Sequence, residues 1–362
     1  MCSSDLLILT AKHHDGFCLW PTKTTTHSVA SSPFRGGKGD VVREFVDACR
    51  AHGLKAGLYL SPWDRNASVY GDSPRYNAFY QTQLTELLTQ YGRIDEVWFD
   101  GANGEGPNGK KQEYDWPATW SLVRKLQPEA VMFSDAGPDV RWIGNENGVA
   151  GETNWSTVDP AVVPVPGVGG PAVMKILREG DPNGTVWRPG ETDVSIRPGW
   201  FYHPAEDARV RSVDNLVNLF FTSVGRNSKL LLNVPPTRDG LIHAVDAERL
   251  AGMRTRLREM QLTDAPNSAN GLSGTHSIEL DLGRTIRASI ADLRERIEEG
   301  QAVAGYAVEV SLDGRSWQTL STGTTIGYRK LDRFAPVEVR HARVTITKAV
   351  GIVSIADFMV RP

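Results

Sequence analysis

The sequence predicts a parallel β/α domain of barrel-like size followed by a small all-β sandwich. Three observations carry this. The chain has 362 residues, more than one ordinary compact domain, so a large unit with an appendage is expected. Up to residue 263, apolar runs of strand length alternate with longer stretches of helical spacing, the signature of β/α units. Beyond Thr263 the pattern becomes alternating and β-branched, which places the boundary between domains 1–263 and 264–362.

In order along the chain, Leu6 to Thr10 reads as a strand. Asp40 to His52 reads as a helix, because Val42, Phe45, Val46 and Cys49 share one face. Lys55 to Leu60 is strand, Tyr76 to Tyr91 helix, Glu96 to Asp100 strand, Trp116 to Leu126 helix and Ala130 to Ser134 strand. Gly144 to Pro198 is dense in Gly and Pro and reads as a long loop region, of the kind that often carries function. Order is expected again from Gly199 to His203, then a helix from Val210 to Ser223, a strand from Lys229 to Val234 closed by Pro235 and Pro236, and a helix from Asp246 to Met260. In the tail, Ser277 to Leu282, Gly305 to Leu312, Val337 to Thr347 and Ile352 to Val360 read as strands, with Asp313-Gly314 as a turn signal.

Composition narrows the partners. A hydrophobic fraction of 40% and a charged fraction of 23% describe a globular chain with a sizeable core. The net charge of -3, with no basic block, gives no footprint for nucleic acid or an anionic membrane. No apolar run is long enough to span a bilayer, and the start carries no secretory-signal pattern. Ten tryptophans, several within two residues of Gly, Pro or Asp (Trp63, Trp98, Trp187, Trp200), suit stacking on the flat faces of a neutral polar ligand, although core filling explains any one of them as well. Cys2, Cys18 and Cys49 are odd in number and lack metal spacing, so neither a disulfide framework nor a metal site is expected.

In parallel β/α folds the reacting groups gather at the C-terminal ends of the strands. Three such ends are polar: Lys12-His13-His14-Asp15-Gly16-Phe17, Tyr59-Leu60-Ser61-Pro62-Trp63 and Trp98-Phe99-Asp100-Gly101. An aspartate ending an apolar strand is costly to desolvate, which favours function for Asp100 over a simple Asx turn. His13 and His14 are adjacent and would point to opposite faces of a strand. They would make a poor metal chelate and suit hydrogen bonding to hydroxyls better, unless each is a satisfied structural histidine. Glycoside hydrolysis needs a second carboxyl to act as proton donor. Glu146, Glu152 and Glu191 in the long region are all candidates, and spacing does not choose among them.

Leu9-Thr10-Ala11-Lys12-His13-His14-Asp15-Gly16-Phe17, Gly57-Leu58-Tyr59-Leu60-Ser61, Val97-Trp98-Phe99-Asp100-Gly101 and Ser195-Ile196-Arg197-Pro198-Gly199-Trp200-Phe201 together resemble glycoside hydrolase family 29, the α-L-fucosidases. The resemblance implies a (β/α)8-like, TIM-type barrel and retaining hydrolysis of terminal α-L-fucose. In it Asp100 is the nucleophile, and His13, His14, Tyr59, Trp98 and Trp200 bind the sugar. The segment Arg141-Trp142-Ile143-Gly144-Asn145-Glu146 resembles the subgroup that prefers α-1,3/1,4 linkages, which makes Glu146 the acid/base, 46 positions after Asp100. Burial or the Asp100 charge is then expected to hold the Glu146 proton. Glu191 is the reserve acid/base, or else the partner of Arg188 or Arg197 in a structural ion pair.

The expected partner is a fucosylated oligosaccharide or glycoconjugate. No metal or organic cofactor is expected, because the two carboxyls supply the chemistry. Family members carry further sequence ahead of the His-His strand, including the first barrel strands and another histidine. With only eleven residues before Lys12, two expectations stand side by side: a barrel lacking its first strands, with the alternative of a catalytically impaired carbohydrate-binding remnant, or a sequence whose start is truncated.

Overall fold

The computed structural model describes residues 5–263, 272–273 and 277–362; Cys2 and residues 264–271 and 274–276 lie outside these. Two compact units are formed, Ser4–Arg141 with Val163–Gly170, and Trp142–Val162 with Pro171–Pro362.

The first unit is built from β1 (Leu6–Lys12), α1 (Val41–Ala51), β2 (Lys55–Leu60), α2 (Ser73–Gln90), β3 (Glu96–Trp98), α3 (Trp116–Leu126), β4 (Val131–Ser134) and β5 (Val140–Trp142), whose last residue begins the second unit. The strands are parallel and ordered β1-β2-β3-β4-β5. In β2 every residue after Lys55 is buried, as expected where helices cover both faces of a parallel sheet. Two of these helices, α1 and α3, start where a side chain satisfies a free N–H group. Asp40 accepts from Arg43 N at 2.9 Å ahead of α1, and Asp115 accepts from Ala118 N at 3.0 Å ahead of α3. Val42, Val46 and Cys49 then bury one face of α1 in a core that includes Leu58, Leu60, Leu84, Leu87 and Val97.

In the second unit, β6 (Thr157–Val158) and β7 (Val186–Trp187) form a short antiparallel pair, and α4 (Pro171–Glu179) lies between them in sequence. β8 (Gly190–Ser195) pairs in parallel with β9 (Ser228–Asn233), with α5 (Val213–Thr222) between them; α6 (Ala244–Glu259) follows. The region read as one long loop is therefore partly ordered, and regular pairing resumes at Gly190 rather than Gly199. Glu191, Thr192 and Asp193 hid β8, because polar residues inside a fully buried strand defeat an apolar count.

The all-β part of this unit comprises β10 (Leu272–Ser273), β11 (Ser277–Glu295), β12 (Val303–Ser311), β13 (Gln318–Gly323), β14 (Lys330–Ala349) and β15 (Ser354–Arg361). They are ordered β10-β15-β11-β14-β12-β13. β11 and β14 are much longer than expected. Register shifts after Asp281 and after Ala288 bend them, so that Ile278 and Leu293, from opposite ends of β11, line one core with Val308, Ile346 and Phe358. The chain thus has the TIM-like parallel β/α class followed by an all-β domain.

Candidate active site

In the first unit the ends of β1, β2 and β3 bring five of the expected residues together. Parallel pairing sets Tyr59 beside Trp98, and Trp98 beside Phe133. Their rings follow, with centroids 5.3 Å apart for Tyr59 and Trp98 and 4.3 Å apart, stacked nearly parallel, for Trp98 and Phe133. His13 stacks on Tyr59 at 5.8 Å and touches His14 at 3.9 Å, and His14 meets Trp63 at 4.8 Å. Lys12, fully buried, is not part of this polar surface. Its ammonium is spent on Asp64 at 3.0 Å and Gln83 at 2.9 Å, which anchors the end of β1.

Asp100 stands two residues beyond β3, and its side chain is 25% exposed. Tyr59 Oη donates to its Oδ2 at 2.8 Å and Ala102 N–H to its Oδ1 at 2.7 Å. Both oxygens are therefore oriented. Burial, followed by the Asp100 charge, pushes the Tyr59 phenol far up, so it remains a donor. Burial lowers His13 despite the opposing charges of Asp100 and Asp15. His14 is lowered to about 4, by burial first and then by His13. Both imidazoles are neutral near pH 7. The turn after them needs glycine: Gly16 has φ +78°, and a Cβ there would stand 2.4 Å from Asp64 Oδ1.

The other expected residues belong to the second unit. Glu146 is exposed, so burial does not supply the environment expected to hold its proton. Glu191 is completely buried and pairs with Lys229 Nζ at 2.7 Å, whereas Arg197 is occupied by Asp246 and Asp207. Glu152 pairs with Arg226 and Lys330. Trp200 is 37% exposed, and its carbonyl accepts from Asn233 Nδ2.

Two carboxylates of interest were not expected. Asp135, just past β4, accepts from Gly167 N at 3.0 Å and packs so closely that a Cβ on Gly101 would lie 2.5 Å from its Oδ2. Its pKa is raised by burial, and the Asp100 charge adds to the rise. The signal that marked Asp100, an aspartate closing an apolar strand, was equally present at Asp135. Asp193, in β8, accepts from Trp142 Nε1 at 2.8 Å and is pushed up to about 7, chiefly by burial. Among the described residues no cluster of His, Cys, Asp or Glu could hold a metal ion.

A carboxylate oriented at a parallel strand end, among neutral imidazoles and tryptophan, defines a carbohydrate-active hydrolase of the TIM-like class. The α-L-fucosidase family matches residues 6–259 and the F5/8 type C domain family residues 260–358. The chain belongs to the α-L-fucosidase family. Alpha-L-fucosidase 1 of Arabidopsis thaliana is 40% identical to it, over 95% of this chain and 73% of that one. A crystal structure of a glycoside hydrolase 29 family member from an unknown rumen bacterium is 39% identical with a TM-score of 0.88. This chain is covered to 99% but spans only 66% of that chain, just under two thirds. A Ruminococcus gnavus GH29 fucosidase in complex with fucose is 28% identical, with a TM-score of 0.85 over 99% of this chain and 82% of that one.

Proposed function

We propose that this protein hydrolyses terminal α-L-fucose, α-1,3- or α-1,4-linked, with retention of configuration, using Asp100 as nucleophile and Glu146 as acid/base. The observation that carries the reading is the Asp100 carboxylate, with one oxygen held by Tyr59 and the other by Ala102 N–H beside neutral His14. In the first step an Asp100 oxygen bonds to the anomeric carbon. The glycosidic C–O bond breaks, and the departing oxygen takes the Glu146 proton. In the second, Glu146 takes a proton from water, the water oxygen bonds to the same carbon, and the Asp100 ester opens to carboxylate. Two inversions give net retention. His13 and His14, being neutral, suit hydroxyl recognition, and Trp98 and Trp200 offer faces for the apolar side of fucose. The linkage preference rests on the Arg141–Glu146 segment.

The test is Asp100→Asn on an aryl α-L-fucoside: turnover should vanish, and near-normal rates would sink the reading. Glu146→Ala should slow substrates with poor leaving groups far more than activated ones, because only the former need a proton. Fucose binding by the unaltered chain without turnover of any substrate would favour a carbohydrate-binding protein instead.

A further inference from the structure

Ser61 is fully buried at the end of β2, and nothing in the catalytic reading uses it. Its hydroxyl makes two short contacts, to Trp63 O at 2.7 Å and to His14 Nδ1 at 2.7 Å. A carbonyl oxygen can only accept, so the single Ser61 hydrogen goes to Trp63 and the contact with His14 must be made by a hydrogen on Nδ1. Tyr59 Oη also feels the Ser61 hydroxyl, but its own hydrogen is given to Asp100 Oδ2. It too could only take the Ser61 hydrogen, which leaves the demand on His14 unchanged. Trp63 is itself fixed, since its Nε1 donates to Glu105 O at 3.0 Å.

We propose that Ser61 is a positioning residue that locks neutral His14 as the Nδ1–H tautomer, making Nε2 a hydrogen-bond acceptor beside Asp100, so that the substrate hydroxyl reaching it must be a donor. The opposite tautomer would aim an Nε2–H at Asp100 Oδ2, but that separation is 3.9 Å, beyond hydrogen-bond reach, and the 2.7 Å contact to Ser61 would be lost. The hydrogen bond made by one ring nitrogen decides the state of the other. Two acceptors facing each other select a donor. A sugar hydroxyl qualifies, whereas a fluorine or methoxy group at the same carbon does not.

The recognition half of this inference rests on the proposed fucoside chemistry; the tautomer half does not. Long-range 1H–15N NMR of the full chain, with His14 identified by its loss in His14→Gln, should show a protonated Nδ1 and an unprotonated Nε2 at pH 7. Ser61→Ala should move the proton to Nε2 and lower kcat/KM on an aryl fucoside by about tenfold or more, and Ser61→Thr should restore both. An Nε2–H in the unaltered protein, or a tautomer that Ser61→Ala does not change, overturns the proposal. If Ser61→Ala fails to fold, the spectrum of the unaltered chain still decides. A correct tautomer with no fucoside turnover would count against the catalytic reading alone. Among mono-deoxyfluoro fucosides, one position should lose binding in the unaltered protein and not in Ser61→Ala; equal losses in both proteins would overturn the donor requirement.

Discussion

Tyr59 Oη donates a 2.8 Å hydrogen bond to Asp100 Oδ2, although 41 residues separate them in the chain. Adjacent parallel strands set the two at one edge, and burial keeps the phenol protonated, so Tyr59 remains the donor. Tyr59→Phe removes this bond and keeps the ring that stacks on His13. The expected result is a loss of roughly tenfold in kcat/KM on an aryl fucoside, the worth of one hydrogen bond to a charged group, with little change in melting temperature. An unchanged rate would mean that Ala102 N–H alone orients the carboxylate.

His14 makes the fold sensitive to acid. Its folded pKa of about 4 lies below its ordinary 6.5, so between these values the unfolded chain binds the extra proton and the folded one does not. Stability should therefore fall as pH drops from about 6.5 towards 4. Urea midpoints across that window should decline less steeply for His14→Gln; parallel curves would show that the imidazole titrates alike in both states.

Asp193 carries the opposite sign. Its folded pKa of about 7 lies above the ordinary carboxylate range, so its contribution is present at low pH and lost as pH rises from about 4 through 7. Asp193→Asn keeps an oxygen for Trp142 Nε1 and removes the buried charge. It should raise stability above pH 7 by about 1–2 kcal/mol and do little at pH 4. A loss at both values would mean that the carboxylate itself is needed.

Glu191 and Glu146 should separate by what their removal harms. Glu191 is completely buried against Lys229, so Glu191→Gln should cost about 1–3 kcal/mol of stability with no dependence on the leaving group. Glu146 is exposed, and Glu146→Ala should leave the melting temperature within about 2 °C while showing that dependence. If Glu191→Gln gave the leaving-group signature, the two assignments would exchange.

Local pattern alone was enough to locate the strands Lys55–Leu60 and Glu96–Trp98, the second read two residues too long, and the helix Val41–Ala51. Parallel strands buried on both faces are written as uninterrupted apolar runs, and an amphipathic helix repeats its buried residues within a few positions. The same rules missed β8, because Glu191, Thr192 and Asp193 are polar yet buried and take their partners, Lys229 and Trp142, from distant parts of the chain. They also passed over Asp135, whose contact with Gly167 crosses 32 positions.

What the sequence determined by itself was the chemistry available at each strand end: a carboxylate at Asp100, imidazoles at His13 and His14, a phenol at Tyr59. What only the tertiary structure decided was the state of each group. Protonation, tautomer and orientation are set by desolvation and by hydrogen bonds at 2.7–2.8 Å to groups 41 or 47 residues away, and no local pattern records such partners.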